Sequence, residues 1–337
     1  MEKEFVSILQ CTEPFRYLDN LELQTIVRYG ELIEFGDNDI ILSQGKNGPG
    51  LFILLNGKAK VTVKVLGQGE IKLAHLSSGQ FFGEVNTLTD VPSTATVRSS
   101  GKSRCFLLNN NTYNMLFNAF PKIRYLINRS LAESVISRQM EMLNKIKLKA
   151  GDSGKKTIQL LPGKSIKSYA KKINLSAGRK LKDLTYLESL PIFNDLNSAE
   201  FSCFVRTADL LDVSKQYVIM KPNRHRTSFF FILKGAIQVG IESQNAAIKF
   251  SILGPNNFFC STSTIGDNEE LFRYEVCENA VLLEITREML TSIQSKQPLL
   301  WYKIQDMCCR YIVSLQKKLN ALVIRMTCEA TERVAVK

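Results

Sequence analysis

The sequence repeats itself, and this repetition limits what the chain can fold into more than any other feature. Three blocks from the first half recur in the same order in the second half, each displaced by 177 or 178 positions. The matching pairs are Phe15-x-x-Leu18 with Phe193-x-x-Leu196, LFILLNGKAKV at 51–61 with FFFILKGAIQV at 229–239, and Phe106-x-Leu108 and Pro121 with Leu283-x-Ile285 and Pro298. Self-similarity at a long fixed period indicates a duplicated structural unit. The chain is therefore predicted to hold two copies of one domain.

Within the first copy, short segments rich in β-branched and aromatic residues alternate with turn glycines. The segments are 32–35, 39–42, 50–55, 59–66, 71–76 and 105–108. Even spacing of this kind is typical of an antiparallel barrel or jelly roll. After Pro121 the apolar residues change to a helical period. The predicted fold class is α+β, mainly β, with two antiparallel β-barrel or jelly-roll domains in tandem, each flanked by helices.

These patterns also predict where the domains begin and end. The first domain is expected at 1–143, a basic linker at 144–186, the second domain at 187–325 and a tail at 326–337.

Composition excludes several classes of protein. The N-terminal MEKEFVSILQ carries charges where a secretory signal needs an apolar run, and no charge-free stretch is long enough to span a membrane. The eight cysteines show no C-x-x-C pairing, and the chain has two histidines. We therefore expect a cytoplasmic protein with reduced thiols, no metal site and no catalytic residues.

The stretch GQFFGEVNTLTDVPSTATV at 79–97 is predicted to form an anion-binding turn within the first barrel. Phe81 and Phe82 end a strand, and the segment from Glu84 forms a helical turn whose backbone N–H groups face a ligand. Pro92 then returns the chain to a β-branched strand.

This arrangement resembles the phosphate-binding cassette of the cyclic nucleotide-binding domain family, whose tandem members include kinase regulatory subunits. The family pattern is Phe-Gly-Glu, a short helix and Pro-Arg-Ala-Ala-Thr-Val; here it reads Phe82-Gly83-Glu84 and Pro92-Ser93-Thr94-Ala95-Thr96-Val97. The resemblance implies that Glu84 accepts the ribose 2′-hydroxyl, with the N–H groups of Gly83 and Thr94 nearby. The implied ligand-binding residues are Gly83, Glu84, Val85, Ser93, Thr94 and Ala95.

The family's phosphate-binding Arg falls on Ser93. A neutral hydroxyl cannot replace a bidentate guanidinium opposite a phosphate, so the predicted ligand is a nucleoside or nucleotide, with the uncharged nucleoside favoured over the cyclic phosphate. Arg98 either substitutes for the missing Arg or is an exposed strand charge.

In the second copy, Gly-Glu has become Cys260-Ser261. Aligning Val276 with Val97 places Phe272 at the Arg position and Arg273 beside it, on the opposite face of the strand. The second copy is therefore predicted to have lost the family's ligand.

The net charge of +12 is concentrated in the linker, where twelve Lys or Arg residues stand against two Asp between 144 and 186. SIKSYAKKI at 165–173 has apolar residues at helical spacing and is predicted to form a basic amphipathic helix. This helix either packs on the second barrel or binds an acidic protein or an anionic membrane through Lys164, Lys167, Lys171 and Lys172.

The linker also faintly resembles a DNA-reading helix-turn-helix, but Lys180 occupies a position that needs an apolar residue, so nucleic acid is an unlikely partner. The main hypothesis is a non-enzymatic, ligand-responsive regulatory protein whose first domain binds a nucleotide or nucleoside. The alternative is an interaction scaffold with two degenerate barrels, recruited through its linker.

Overall fold

A computed structural model describes residues 2–65, 69–89, 91–152, 169–224, 227–243, 246–266 and 268–335. The chain divides into two compact units. The first comprises Met1–Val135 with Ile312–Lys337, and the second comprises Ile136–Tyr311.

The first unit contains two four-stranded antiparallel sheets preceded and followed by helices. Its elements are α1 (Glu2–Gln10), α2 (Asn20–Tyr29), β1 (Glu31–Phe35), β2 (Ile40–Leu42), β3 (Gly50–Asn56), β4 (Lys58–Val65), β5 (Gly69–Ser77), β6 (Phe81–Phe82), α3 (Glu84–Thr89), β7 (Thr96–Ser99), β8 (Ser103–Asn109), α4 (Asn110–Ala119) and the start of α5 (Pro121–Asp152). The strand orders are β1-β8-β3-β6 and β2-β7-β4-β5.

The second unit has the same strand pairings, with one strand added. Its elements are β9 (Ala170–Ile173), α6 (Ala177–Leu184), α7 (Ser198–Thr207), β10 (Asp209–Val213), β11 (Val218–Met220), β12 (Ser228–Ser243), β13 (Ala246–Leu253), β14 (Phe258–Cys260), β15 (Arg273–Thr286), α8 (Arg287–Lys296) and the start of α9 (Pro298–Ala335). The sheet order is β13-β12-β15-β10-β9, with β11 paired to β15 and β14 paired to β12.

The duplication is visible strand by strand. Strand β12 corresponds to β3 and β4 joined together, and β15 corresponds to β7 and β8 joined together, so that β10-β15-β12-β14 repeats β1-β8-β3-β6. The first copy passes from one sheet to the other at Gly57, which has φ of 95°; the equivalent Gly235, with φ of 84°, lies within β12, where the pairing with β15 shifts register. A Cβ atom would lie 2.6 Å from a carbonyl oxygen at Gly57 and 2.4 Å from one at Gly235. The predicted tandem of antiparallel domains is confirmed.

Apolar side chains from both sheets fill the interior of the first barrel. Phe52 and Phe82 stack with their ring centroids 5.2 Å apart, and Leu42 and Val97 belong to the same buried cluster. The helix before each barrel begins with a capping box, formed by Asp19 with Glu22 in the first unit and by Asn197 with Glu200 in the second. The two boxes fix the start of equivalent helices.

The predicted amphipathic helix at 165–173 is wrong for its second half. Residues 170–173 form strand β9, which pairs antiparallel with β10, while Lys164 and Lys167 lie outside the described residues. The physical reason is that β10 is otherwise an edge strand, whose unpaired N–H and C=O groups favour the addition of another strand. Since these residues are extended, the first helix of the suggested DNA-reading motif does not extend over them.

No described helix has an apolar stretch long enough to cross a membrane. Within the described parts of the chain, no cluster of three His, Cys, Asp or Glu side chains has the geometry of a metal site. None of the cysteines whose side chains the structure describes forms a disulfide bond.

Candidate functional site

The first cassette begins where β6 ends, at a glycine that no other residue replaces without strain. Gly83 has φ of 88°, and a Cβ atom there would lie 2.6 Å from the Gly50 carbonyl oxygen. This close approach to β3 allows α3 to start immediately, with Thr87 N–H donating to Gly83 O at 3.0 Å. Glu84 and Val85, in the first turn of α3, are buried. The cassette is thus packed against the barrel.

Asn86 fastens the cassette to the loop between β2 and β3. Its Oδ1 accepts the Gly48 N–H at 3.1 Å, and its Nδ2 donates to Val91 O at 2.8 Å. The side chain is buried, so both hydrogen bonds are protected from water. Asn86 is not among the site residues predicted from the sequence. An amide side chain in a short helix, close to the loop glycines Gly45 and Gly48, is nevertheless a usable signal.

Ser93 lies opposite α3, held by the same loop. Its N–H donates to Lys46 O at 2.9 Å, and its carbonyl accepts the Gly45 N–H at 2.8 Å. The side chain is 7% exposed. Among the described residues, its hydroxyl oxygen has no hydrogen-bond partner. Buried hydroxyls are normally hydrogen-bonded, so the orphan Ser93 hydroxyl keeps an unused capacity to donate and accept a hydrogen bond.

Gly48 packs closely against α3 and that hydroxyl. A Cβ atom on Gly48 would lie 3.5 Å from Ser93 Oγ, 3.2 Å from Asn86 Oδ1 and 2.9 Å from Leu42 Cδ2. A larger residue at position 48 would therefore displace Leu42 or Asn86.

The remaining predicted residues lie at the edge of this site. Thr94 and Ala95 are half-buried. Arg98 lies on the face of β7 opposite the buried Val97 and lines a shallow cleft of about 580 Å³ with Asp37, Lys60 and Glu70. It is a surface charge and does not substitute for an Arg at position 93.

Backbone pairing identifies the residue of the second unit that corresponds to Ser93. Asn223 N–H donates to Glu270 O at 2.9 Å, and Glu270 N–H donates to Arg224 O at 3.3 Å. This repeats the pairing of Ser93 with Gly45 and Lys46, 177 or 178 positions earlier. The strands agree, because Val61 pairs with Val97 while Val239, its equivalent, pairs with Tyr274.

Glu270 therefore occupies the Ser93 position, and the predicted alignment of Phe272 with Ser93 is wrong by two residues. The error came from matching Val276 to Val97 by residue type, whereas the strand register matches Tyr274 to Val97. Phe272 is fully buried. Arg273 forms ion pairs with Glu242 at 2.6 Å and Glu275 at 2.9 Å.

The carboxyl group of Glu270 is fully buried. Its Oε2 accepts the Thr262 N–H at 3.0 Å, and its Oε1 accepts the Phe272 N–H at 2.8 Å. Burial raises the pKa of Glu270 to about 7, although the hydrogen bonds from Phe272, Ser261 and Thr262 favour the charged form.

The described part of the basic linker presents charge unevenly. Lys171 is exposed, whereas Lys172 Nζ lies 2.7 Å from Asp209 Oδ1. Lys180 is buried, and its Nζ donates to the carbonyls of Arg206 and Ala208 at the end of α7. Burial lowers the pKa of Lys180.

Comparison with known proteins gives consistent matches. The family model for the cyclic nucleotide-binding domain matches residues 32–120. The chain is 30% identical over 118 residues to a cAMP-dependent protein kinase regulatory subunit of Dictyostelium discoideum, and the match covers 34% of this chain and 36% of that protein. The aligned region thus spans about a third of the relative's length.

Two solved structures are also similar. The regulatory domain of Toxoplasma gondii PKA with cAMP has 14% identity and a TM-score of 0.34, covering 89% of this chain and 93% of that one. The regulatory subunit of a cAMP-independent protein kinase A from Trypanosoma cruzi bound to guanosine has 14% identity and a TM-score of 0.33, covering 88% and 83%.

Proposed function

Residues 32–120 match the family model of the cyclic nucleotide-binding domain, and from this premise we propose that the first unit binds a nucleotide or nucleoside, with the uncharged nucleoside favoured over a cyclic phosphate. The chain acts as a non-enzymatic regulator that responds to this ligand. The relatives named as kinase regulatory subunits support the regulatory class.

The observation that carries the proposal is the chemistry at position 93. The site has a buried, neutral hydroxyl without a hydrogen-bond partner among the described residues, where the family resemblance implies a guanidinium. Glu84 is retained opposite it and is buried. The proposed ligand contacts are Gly83, Glu84, Val85, Ser93, Thr94 and Ala95.

Desolvation explains the preference for a neutral ligand. Moving a phosphate from water into a buried site costs free energy unless charged or hydrogen-bonding groups compensate. Ser93 supplies one neutral hydroxyl, and α3 has only six residues. A nucleoside carries no charge, so hydrogen bonds to its hydroxyl groups and base are sufficient compensation.

Isothermal titration calorimetry with adenosine, guanosine, cyclic AMP and cyclic GMP tests the proposal. Wild-type protein is expected to bind a nucleoside more tightly than the corresponding cyclic nucleotide. Ser93→Arg should tighten cyclic AMP binding at least about tenfold, because a charge-assisted hydrogen bond contributes roughly 1.5–3 kcal/mol. Ser93→Met is the matched control, since it adds bulk without charge.

A double variant tests the opposite side of the cassette. Ser93→Arg with Glu84→Ala should lose the gain, because the ribose hydroxyl then lacks its acceptor. Wild-type binding of cyclic AMP at sub-micromolar affinity, or equal effects of Ser93→Arg and Ser93→Met, would contradict the proposal.

The basic linker supports a second candidate function, recruitment to an anionic membrane or an acidic protein through Lys164, Lys167, Lys171 and Lys172. The observation that favours it is the exposure of Lys171 and Tyr169 beside β9. Each basic residue near an anionic surface contributes about 1 kcal/mol.

Sedimentation with phosphatidylserine vesicles tests this second function. Binding should weaken as salt increases, and replacing the four lysines by Gln should reduce it. The control replaces four exposed lysines of the second unit, Lys215, Lys221, Lys234 and Lys249, which changes the net charge equally. Equal losses in the two variants would show that net charge alone is responsible.

A further inference from the structure

We propose that the second unit carries its own ligand: the Glu270 carboxyl group occupies the cassette in place of an external anion, and the stability of this unit follows the ionisation of that group. This inference concerns the second unit and is independent of what the first unit binds.

The first argument is position. Glu270 corresponds to Ser93 by its backbone pairing with Asn223 and Arg224, so it stands where the family resemblance implies the phosphate-binding Arg. A carboxylate there repels a phosphate instead of binding it. The second unit thus has an acidic group where the resemblance implies a basic one.

The second argument is hydrogen bonding. The two carboxyl oxygens receive the N–H groups of Thr262 and Phe272, which lie on opposite sides of the cassette. Thr262 follows Ser261, the equivalent of Glu84, and opens a short 3-10 helix over Thr262–Thr264. Backbone N–H groups of this turn are the donors predicted to face the ligand in the first copy. In the second copy one of them is taken by a side chain of the same unit.

The third argument is the surrounding network, which holds the carboxyl group in place. Thr262 Oγ1 donates to Glu269 O at 2.6 Å and accepts the Leu271 N–H at 3.2 Å. The Ser261 hydroxyl lies 2.7 Å from that of Ser263, and it also interacts with Glu270. The segment around Glu270 is therefore fixed on both sides.

The groups that face this carboxyl are neutral near pH 7. They are the Cys260 thiol on β14, the Tyr274 phenol on β15 and the Tyr311 phenol on α9, and burial raises the pKa of each. Tyr311 OH and Tyr274 OH are 3.1 Å apart. Since the described neighbours supply no cation, the charged form of Glu270 depends on its hydrogen bonds.

The direction of the pH effect follows from the raised pKa. Between the ordinary value of 4.5 and about 7, the folded second unit holds a proton on Glu270 that the unfolded chain releases. Stability is therefore highest below this window and falls as pH rises through it. One proton changes the folding equilibrium constant by at most about tenfold per pH unit.

The test is urea unfolding of the full chain between pH 5 and pH 8, followed by Trp301 fluorescence. Trp301 is the single tryptophan of the chain and lies in the second unit. Wild-type stability should fall over this range, and Glu270→Gln should remove most of the slope. Glu269→Gln is the matched control, because Glu269 is the residue before Glu270 and is exposed. This variant should keep the wild-type slope.

A carboxyl ¹³C titration of the wild-type chain, labelled at glutamate, protects the test against a variant that fails to fold. One resonance should titrate well above the others, and it should be absent from the spectrum of glutamate-labelled Glu270→Asp, which identifies it as Glu270. The proposal is overturned if Glu270→Gln keeps the wild-type slope, or if every glutamate titrates near its ordinary pKa.

Discussion

Gly83 shows how much of the cassette depends on one residue. Gly83→Ala should cost the first unit about 1–3 kcal/mol for its positive φ and roughly 1–3 kcal/mol more for the overlap with Gly50 O. Urea unfolding followed by far-ultraviolet circular dichroism measures the cost.

Gly79→Ala is the matched control for this prediction. Gly79 has the same φ of 88°, but a Cβ atom there would meet nothing within 4 Å. It should show the backbone cost alone. Equal destabilisation by the two variants would show that the contact with Gly50 does not matter.

For single residues, the sequence predicts site positions that belong to one contiguous motif. It does not predict positions whose role depends on how the strands pair. Gly83, Glu84 and Ser93 lie within one contiguous stretch, so a single motif predicts all three as site residues. Glu270 was missed because its role depends on a strand register that residue matching cannot reveal when the intervening segment changes length. Asn86 was missed because its partners, Gly48 and Val91, are supplied by the folded loop.

Between elements, Lys180 links α6 to the end of α7. Its Nζ donates to the carbonyls of Arg206 and Ala208, which satisfies C-terminal groups that the helix itself leaves unpaired. Lys180→Met should destabilise the second unit by about 1–3 kcal/mol, because buried acceptors lose their donor. Unfolding followed by Trp301 fluorescence measures this loss.

Lys182→Met is the control on the same helix, since Lys182 is exposed and its replacement should change stability by less than about 0.5 kcal/mol. A comparable effect at Lys182 would assign the loss to helix charge instead of the Lys180 contacts.

The strands were predictable where glycine turns and β-branched runs coincide, as in the blocks 51–61 and 229–239. Strand β9 was not, because its partner β10 is remote in sequence; the Tyr169 N–H, for example, donates to the Ser214 hydroxyl 45 positions away. When a short segment can form either a helix or a strand, its secondary structure depends on whether such a partner is available. Local periodicity cannot show that partner.

For the whole molecule, the two cassettes predict a simple stoichiometry. The first unit has a neutral orphan hydroxyl and the second has an internal carboxyl group, so one nucleoside should bind per chain. Calorimetry measures this ratio directly. Glu84→Ala should remove most of the heat, because the proposed contacts belong to the first unit.

Two equivalents per chain, or one remaining in Glu84→Ala, would contradict this prediction. A chain in which Glu270 is replaced by Gln should also bind a single equivalent, since neutralising the carboxyl group leaves the side chain in place.

The joined strands of the second unit have a mechanical consequence. Strands β12 and β15 continue where the first unit breaks the equivalent strands, at Gly57 and at residues 100–102, although their pairing shifts register three times between Ile232 and Ile237. Bending of a sheet concentrates where ladder hydrogen bonds are missing, so the first barrel should bend at its two strand breaks and the second at the register shifts around Gly235.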